Sequence, residues 1–144
     1  MPKSVSTRSA YKMLTCIYLC RTLLFFAPYA DFYGKNNLLF TLMIRQPDFI
    51  SNEYAYEIIK QVRNKKSFPL LDKVTFDTIE EGLCVQMLHI GSYDTELITF
   101  QKMESFISMQ NLSRINSIHR EIYLSDARRV QKDKLKTMLR FQVE

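Results

Sequence analysis

No tryptophan occurs in the 144 residues, and only three glycines, four prolines and three cysteines. So little glycine and proline leaves scant room for flexible linkers or disordered stretches, and no repeat or low-complexity segment interrupts the chain. An odd cysteine count, with Cys84 inside an apolar strand pattern, argues against a disulfide framework and for reduced thiols in a cytoplasmic protein. Cys16 and Cys20 lie four apart, but without a nearby histidine or a second pair they make no metal site, and packing accounts for all three. No cofactor is indicated. Helix-turn-helix signals, zinc spacings and aromatic RNA-binding boxes are also missing, so the net charge of +5 reads as solvated basic surface at Arg63 to Lys66 and Arg128 to Lys136.

A long uncharged run is absent too. Met13 to Phe26, MLTCIYLCRTLLFF, follows basic residues and imitates a secretory signal, but Arg21 interrupts it and a membrane span needs about 20 nearly uncharged residues. A transmembrane segment is rejected, and a buried strand or helix is preferred to a cleaved signal. Residues 1–30 otherwise remain a poorly assigned segment ahead of a single domain at 31–144.

What is present is a readable order of elements. Tyr29 to Asn37 is turn-rich, and Leu38 to Arg45 is an apolar strand stopped by Pro47. Ser51 caps a helix to about Lys65 with Ala55, Ile58, Ile59 and Val62 inward and basic residues in its last turn. Val74 to Thr78 and Leu83 to Ile90 are expected to form a hairpin broken at Glu80 to Gly82. Asp94 or Thr95 caps a second helix to about Asn111 with Phe100, Met103, Phe106 and Ile107 inward, and a last strand places Leu139, Phe141 and Val143 inside. From Val74 the order is strand, strand, helix, strand, strand, an α+β unit with an antiparallel sheet and helices on one face.

The stretch His119 to Asp126, HREIYLSD, carries the chemistry. With a period of two it sets Ile118, Ile122 and Leu124 on one face as core, with Arg120 as the exception, and His119, Glu121 and Tyr123 on the other. Taken alone, Glu121 reads as the partner of an arginine or lysine on a neighbouring strand. His89 and His119 read as ordinary hydrogen-bonded residues, and Tyr123 equally as core aromatic or ligand contact.

Three blocks, MIRQPDFI at Met43 to Ile50, DKVTFDTIEEGLCVQMLHIGSYDTE at Asp72 to Glu96 and HREIYLSDARRVQKDKLKTMLR at His119 to Arg140, resemble the GyrI-like small-molecule-binding family, specifically its stand-alone bacterial members. The likeness spans about Tyr29 to Glu144. It implies two strand-helix-strand-strand modules, the first incomplete here, around a central cleft for lipophilic, cationic or planar drug-like ligands. It also makes Glu121 the acid at the floor of that cleft, with Tyr123, His119, Tyr93 and Leu39 as further ligand contacts. The resemblance thus reverses the reading of Glu121 as a plain ion pair.

Some relatives hydrolyse cyclopropane-bearing genotoxins, and in that alternative Glu121 and Tyr123 are catalytic. Two departures bear on it: relatives are longer at the N-terminus by a strand and helix that complete the first module, and leucine or phenylalanine stands at Leu24, Phe25 and Leu39 where relatives place tryptophan, which removes cation-π surface. The proline usual before the turn tyrosine is Ser92, a change that loosens the turn without removing the site. A third reading is a shortened, degenerate member that has lost its cleft or completes itself as a homodimer. Neither nucleic acid nor membrane is an expected partner.

Overall fold

The computed structural model describes residues 1–7, 11–20, 38–66 and 69–144. Within them run strands β1 Lys3–Thr7, β2 Tyr11–Cys20, β3 Leu38–Arg45, β4 Val74–Ile79, β5 Gly82–Ile90, β6 Arg120–Tyr123 and β7 Lys136–Gln142, with helices α1 Asn52–Lys65 and α2 Glu96–Met109. The strands form a four-stranded sheet ordered β1-β5-β7-β6 and a three-stranded sheet ordered β3-β2-β4, with antiparallel pairing throughout. The chain divides into two compact units, one built on each sheet.

In the unit of the three-stranded sheet, Ser51 Oγ accepts from the Tyr54 amide at 3.1 Å and starts α1, as its sequence implies. Arg63 and Lys65 sit in its last turn, where the helix dipole favours positive charge. Ala55 and Ile59 bury against Phe76 of β4, with Val74 and Ile50 packed alongside. Leu39 lies on β3 opposite Leu19. Its side chain, those of Cys16 and Cys20, the whole of Leu24 and Phe25, and the turn-rich stretch Tyr29 to Asn37 lie outside the described part.

The other unit contains the strand-helix-strand-strand order β5, α2, β6, β7, with β1 added at the edge. Leu139, Phe141 and Val143 alternate inward along β7 and its end, and meet Val85 of β5 and Phe100, Met103 and Ile107 of α2. These three α2 residues recur at helical spacing, so one stripe of the helix faces the sheet. Burying such side chains contributes about 1.5–3 kcal/mol each, which makes this packing the main anchor of the unit.

Two expectations are corrected. β4 and β5 exist where expected but do not pair as a hairpin: β4 pairs with β2, whereas β5 lies between β1 and β7. Gly82, the first residue of β5, has φ +65°, a left-handed conformation that glycine adopts without strain. The N-terminal strands β1 and β2, the second overlapping the Met13 to Phe26 stretch read as a buried strand or helix, supply the partners that a hairpin would have supplied.

The two faces of β6 are also reversed with respect to the core. Glu121 and Tyr123 pair with Leu139 and Thr137, both fully buried, so they share the face that α2 covers. Ile118 and Leu124 are 73% and 56% exposed. A four-residue edge strand takes its facing from the register with its neighbour, and here that register outweighs the apolar pattern.

Arg120 lies on the opposite face and meets Glu81, whose side chain is 7% exposed. One Glu81 oxygen receives Arg120 Nη1 at 3.0 Å and the other receives Arg140 Nη1. Arg140 also donates to Gln86 Oε1 from Nε at 3.1 Å and from Nη2 at 2.7 Å, and Gln142 Nε2 donates to the Glu81 carbonyl at 2.8 Å. The two guanidinium groups neutralise this carboxylate and are held in return.

Candidate functional site

The turn before α2 places the first aromatic residue. Gly91, at φ +137°, adopts a backbone conformation that side chains disfavour, and a Cβ there would come within 3.3 Å of Thr95 Oγ1. His89, buried beneath the turn, donates from Nε2 to the Ser92 carbonyl at 3.0 Å, which leaves Nδ1 of the neutral ring to accept from Thr99 Oγ1 at 2.9 Å. Thr95 occupies the cap position of α2, but its hydroxyl donates back to the Ser92 carbonyl at 2.8 Å and caps nothing. Ser92 caps the short turn Tyr93–Thr95 that leads into the helix, its Oγ accepting from the Asp94 amide at 3.3 Å. These bonds fix Tyr93, whose ring meets that of Tyr123 edge-on, with centroids 5.6 Å apart.

Glu121 stands beside that pair with its side chain 10% exposed. Tyr123 donates its phenolic hydrogen to Oε2 at 2.7 Å, and His119 Nε2 donates to Oε1 at 3.2 Å. The His119 ring packs edge-on against Phe100 of α2, with centroids 4.9 Å apart. Burial, the hydrogen bond to Glu121 and the nearby negative charges all push the Tyr123 hydroxyl upward from the ordinary phenol range, so it stays a donor. Tyr93 is raised as well, first by burial and then by the charges of Glu96, Glu121 and Asp126.

Of the five expected ligand contacts, Tyr93, His119, Glu121 and Tyr123 come together, and the Leu39 side chain lies outside the described residues. Sequence reasoning missed Glu96. It opens α2 and is 1% exposed; among the described residues its Oε1 and the buried Thr137 Oγ1 make no well-formed hydrogen bond. Burial above all, then the charge on Glu121, push its carboxyl from 4.5 up to about 8, while the Thr137 hydroxyl pulls the other way. A carboxylate at a helix start normally reads as a solvated partner of the helix dipole. The contrary signal was in the spacing: Glu96, Phe100, Met103 and Ile107 lie on one helical stripe, and that stripe is the buried one.

A groove of about 820 Å³ runs between α2 and the 114–117 loop, lined by residues that include Leu97, Phe100, Glu104, Arg114 and Asn116. It shares Phe100 with the acidic cluster, but Glu121 and Tyr123 are not among its lining residues. Arg114 pairs with Glu104 at 2.9 Å and lies over the Phe141 ring at 4.3 Å. Among the described residues no three metal-ligating side chains cluster, and no helix is long and apolar enough to cross a membrane.

A strand-helix-strand-strand unit with antiparallel pairing, carrying an acidic cluster between its helix and sheet, places the chain in the class of small α+β domains. The chain belongs to the GyrI-like family: residues 26–144 match that family's model, described as the GyrI-like small molecule binding domain. A hydrolase from Listeria innocua and an uncharacterized conserved protein from the same organism superpose with TM-scores of 0.81 and 0.82. Both are 23% identical, match 99% of this chain, and are covered over 91% and 92% of their own lengths. The C-terminal domain of EcmrR superposes with a TM-score of 0.65 at 14% identity, over 100% of this chain and 96% of that domain. At these identities the likeness establishes a shared fold. No curated protein matches the chain.

Proposed function

We propose that this chain holds a lipophilic, cationic or planar small molecule against the acidic cluster, with Glu121 as the anionic contact and Tyr93, Tyr123 and Phe100 as aromatic walls. The contrast between two buried carboxylates of one unit carries this reading. Glu81 is neutralised by two guanidinium groups, whereas Glu121 receives a phenol and an imidazole. A carboxylate taken out of water is costly, and a cation that docks on it recovers part of that cost. Edge-on tyrosines beside it add π-faces and edges that favour a flat or positively charged guest.

The test is a fluorescence titration with ethidium, which is planar and permanently charged. Glu121→Gln keeps the shape and removes the charge, and the expected result is a loss of affinity of about tenfold or more, on the order of 1.4 kcal/mol. Superimposable curves for the two proteins would defeat the proposal.

A second reading, hydrolysis of a cyclopropane-bearing genotoxin with Glu121 and Tyr123 at the reacting centre, is favoured by one observation. Burial above all, and then the charge on Glu121, push the Glu96 carboxyl up to about 8, and a carboxyl group that keeps its proton beside a second acidic residue can serve as a proton donor. Incubation with a cyclopropane-bearing alkylator followed by mass spectrometry is expected to show addition of one water, lost in Glu121→Gln. Water addition no faster than in the protein-free blank would remove this reading.

A further inference from the structure

β5 is paired along its whole length on one side and along only part of it on the other. On the β7 side its odd-numbered residues make the bonds: at the two ends, the Gly91 amide donates to the Leu135 carbonyl and the Val143 amide to the Leu83 carbonyl, both at 3.0 Å. Backbone groups alternate in direction along a strand, so the even-numbered residues turn theirs to the opposite edge. There β1 meets Gly82, Cys84 and Gln86, and its pairing stops at Lys3. The amide and carbonyl groups of Leu88 and Ile90 therefore point outward, and among the described residues they have no partner. Met1, which would stand opposite Leu88 if β1 ran on, is fully exposed instead.

A groove of about 310 Å³ lies along this open half-edge, walled by Met87 to Ile90 of the strand and by Thr95, Ile98 and Lys102 on and just before α2. Leu88, Ile90 and Ile98 are 39%, 59% and 55% exposed. Lys102 gives the lining a positive charge, and no acidic side chain lines the groove.

We propose that this half-edge is a docking site for an extended peptide of another protein, which adds as a short strand beside Leu88 and Ile90 and sets a carboxylate against Lys102. The groove shares no lining residue with the acidic cluster, so the inference is independent of the small-molecule reading. Outward amide and carbonyl groups in strand geometry are satisfied together by another extended backbone, which neither a lipid nor a small apolar molecule supplies. The exposed Leu88, Ile90 and Ile98 offer apolar contact to its side chains. A second copy fits the edge poorly. Antiparallel pairing of Leu88 with Ile90 of the other copy would put Ser92 of each where Lys3 of the other already stands beside Gln86, and would turn the two Lys102 side chains toward each other.

Amide exchange of the free protein, followed by NMR, gives the first test. Leu88 and Ile90 are expected to exchange at least about tenfold faster than Met87 and His89, whose amides bond to β7. Equal protection of all four would mean that the edge is already covered, and would overturn the inference.

Fluorescence anisotropy with a capped, fluorescein-labelled Thr-Val-Thr-Val-Glu-Val peptide gives the second, with saturable binding expected and the Leu88 and Ile90 amides protected in the complex. Two versions of the peptide, methylated on alternate backbone nitrogens in opposite phase, separate strand pairing from side-chain contact: one is expected to lose about tenfold or more in affinity and the other to keep it. Lys102→Glu should weaken binding about threefold to tenfold. Leu88→Pro removes an outward amide while sparing the bonds to β7, and should abolish binding.

No binding at peptide concentrations up to about 1 mM, equal affinity of the two methylated peptides, or unchanged affinity in Lys102→Glu would each overturn the proposal. Dimerisation of the unaltered protein that Leu88→Pro abolishes would assign the edge to a second copy and overturn it too. Should Leu88→Pro fail to fold, the methylated peptides decide on the unaltered protein.

Discussion

Glu81→Ala is expected to destabilise the protein by about 3–5 kcal/mol, because it leaves two guanidinium groups of a sheet face without their counter-charge. Against a typical total of about 5–15 kcal/mol, that loss is a large share of the stability. The geometry explains the size. Glu81 is nearly inaccessible, Arg140 is mostly buried, and both oxygens of the carboxylate are engaged. Removing Asp126, which pairs with Arg128 on an exposed loop, should change stability little, since such pairs compete with water. Urea denaturation of both variants makes the comparison, and a Glu81→Ala midpoint close to that of the unaltered protein would contradict the assigned role.

Stability should also fall as pH rises from about 5 to about 9, with Glu96 as the main source. The sign follows from proton binding. In the unfolded chain Glu96 titrates near 4.5, whereas in the folded protein it holds its proton up to about 8. Between those values the folded state binds more protons, so its advantage is complete below the lower value and is lost on the way through the upper one. The span from 4.5 to about 8, discounted for solvent reaching the site, corresponds to about 2–4 kcal/mol. Urea denaturation at pH 5, 7 and 9 is expected to show this decline in the unaltered protein and a much flatter profile in Glu96→Gln, with the variant the more stable of the two at pH 9. Parallel profiles would refute it.

Much of the chain from Ser51 onward was legible in the sequence. The α1 cap at Ser51, the inward stripe Phe100, Met103 and Ile107, and the alternation Leu139, Phe141, Val143 each follow from local periodicity that packing reinforces. What was not legible depends on partners distant in the chain. The β4 and β5 segments are a plausible hairpin on local grounds, and only strands contributed by residues 3–7 and 11–20 divert them into separate sheets. The facing of β6 failed for a related reason: four residues carry too little pattern to outweigh the register imposed by β7. Within the site, Tyr93, His119, Glu121 and Tyr123 were found through their resemblance to a family. Glu96 was passed over because a carboxylate in a first helical turn is usually accounted for by the dipole alone.

The pairing of β1 with β5, which sets Lys3 opposite Gln86, has a bearing on how the molecule comes into being. During translation the first strand leaves the ribosome about 80 residues ahead of its mate, an interval of about 4–16 s at ordinary elongation rates. For all that time its backbone donors and acceptors have no sheet to join. Closure of the larger sheet is therefore a late, long-range event, and the nascent chain spends seconds in a state that a chaperone, or another unfinished copy, could intercept.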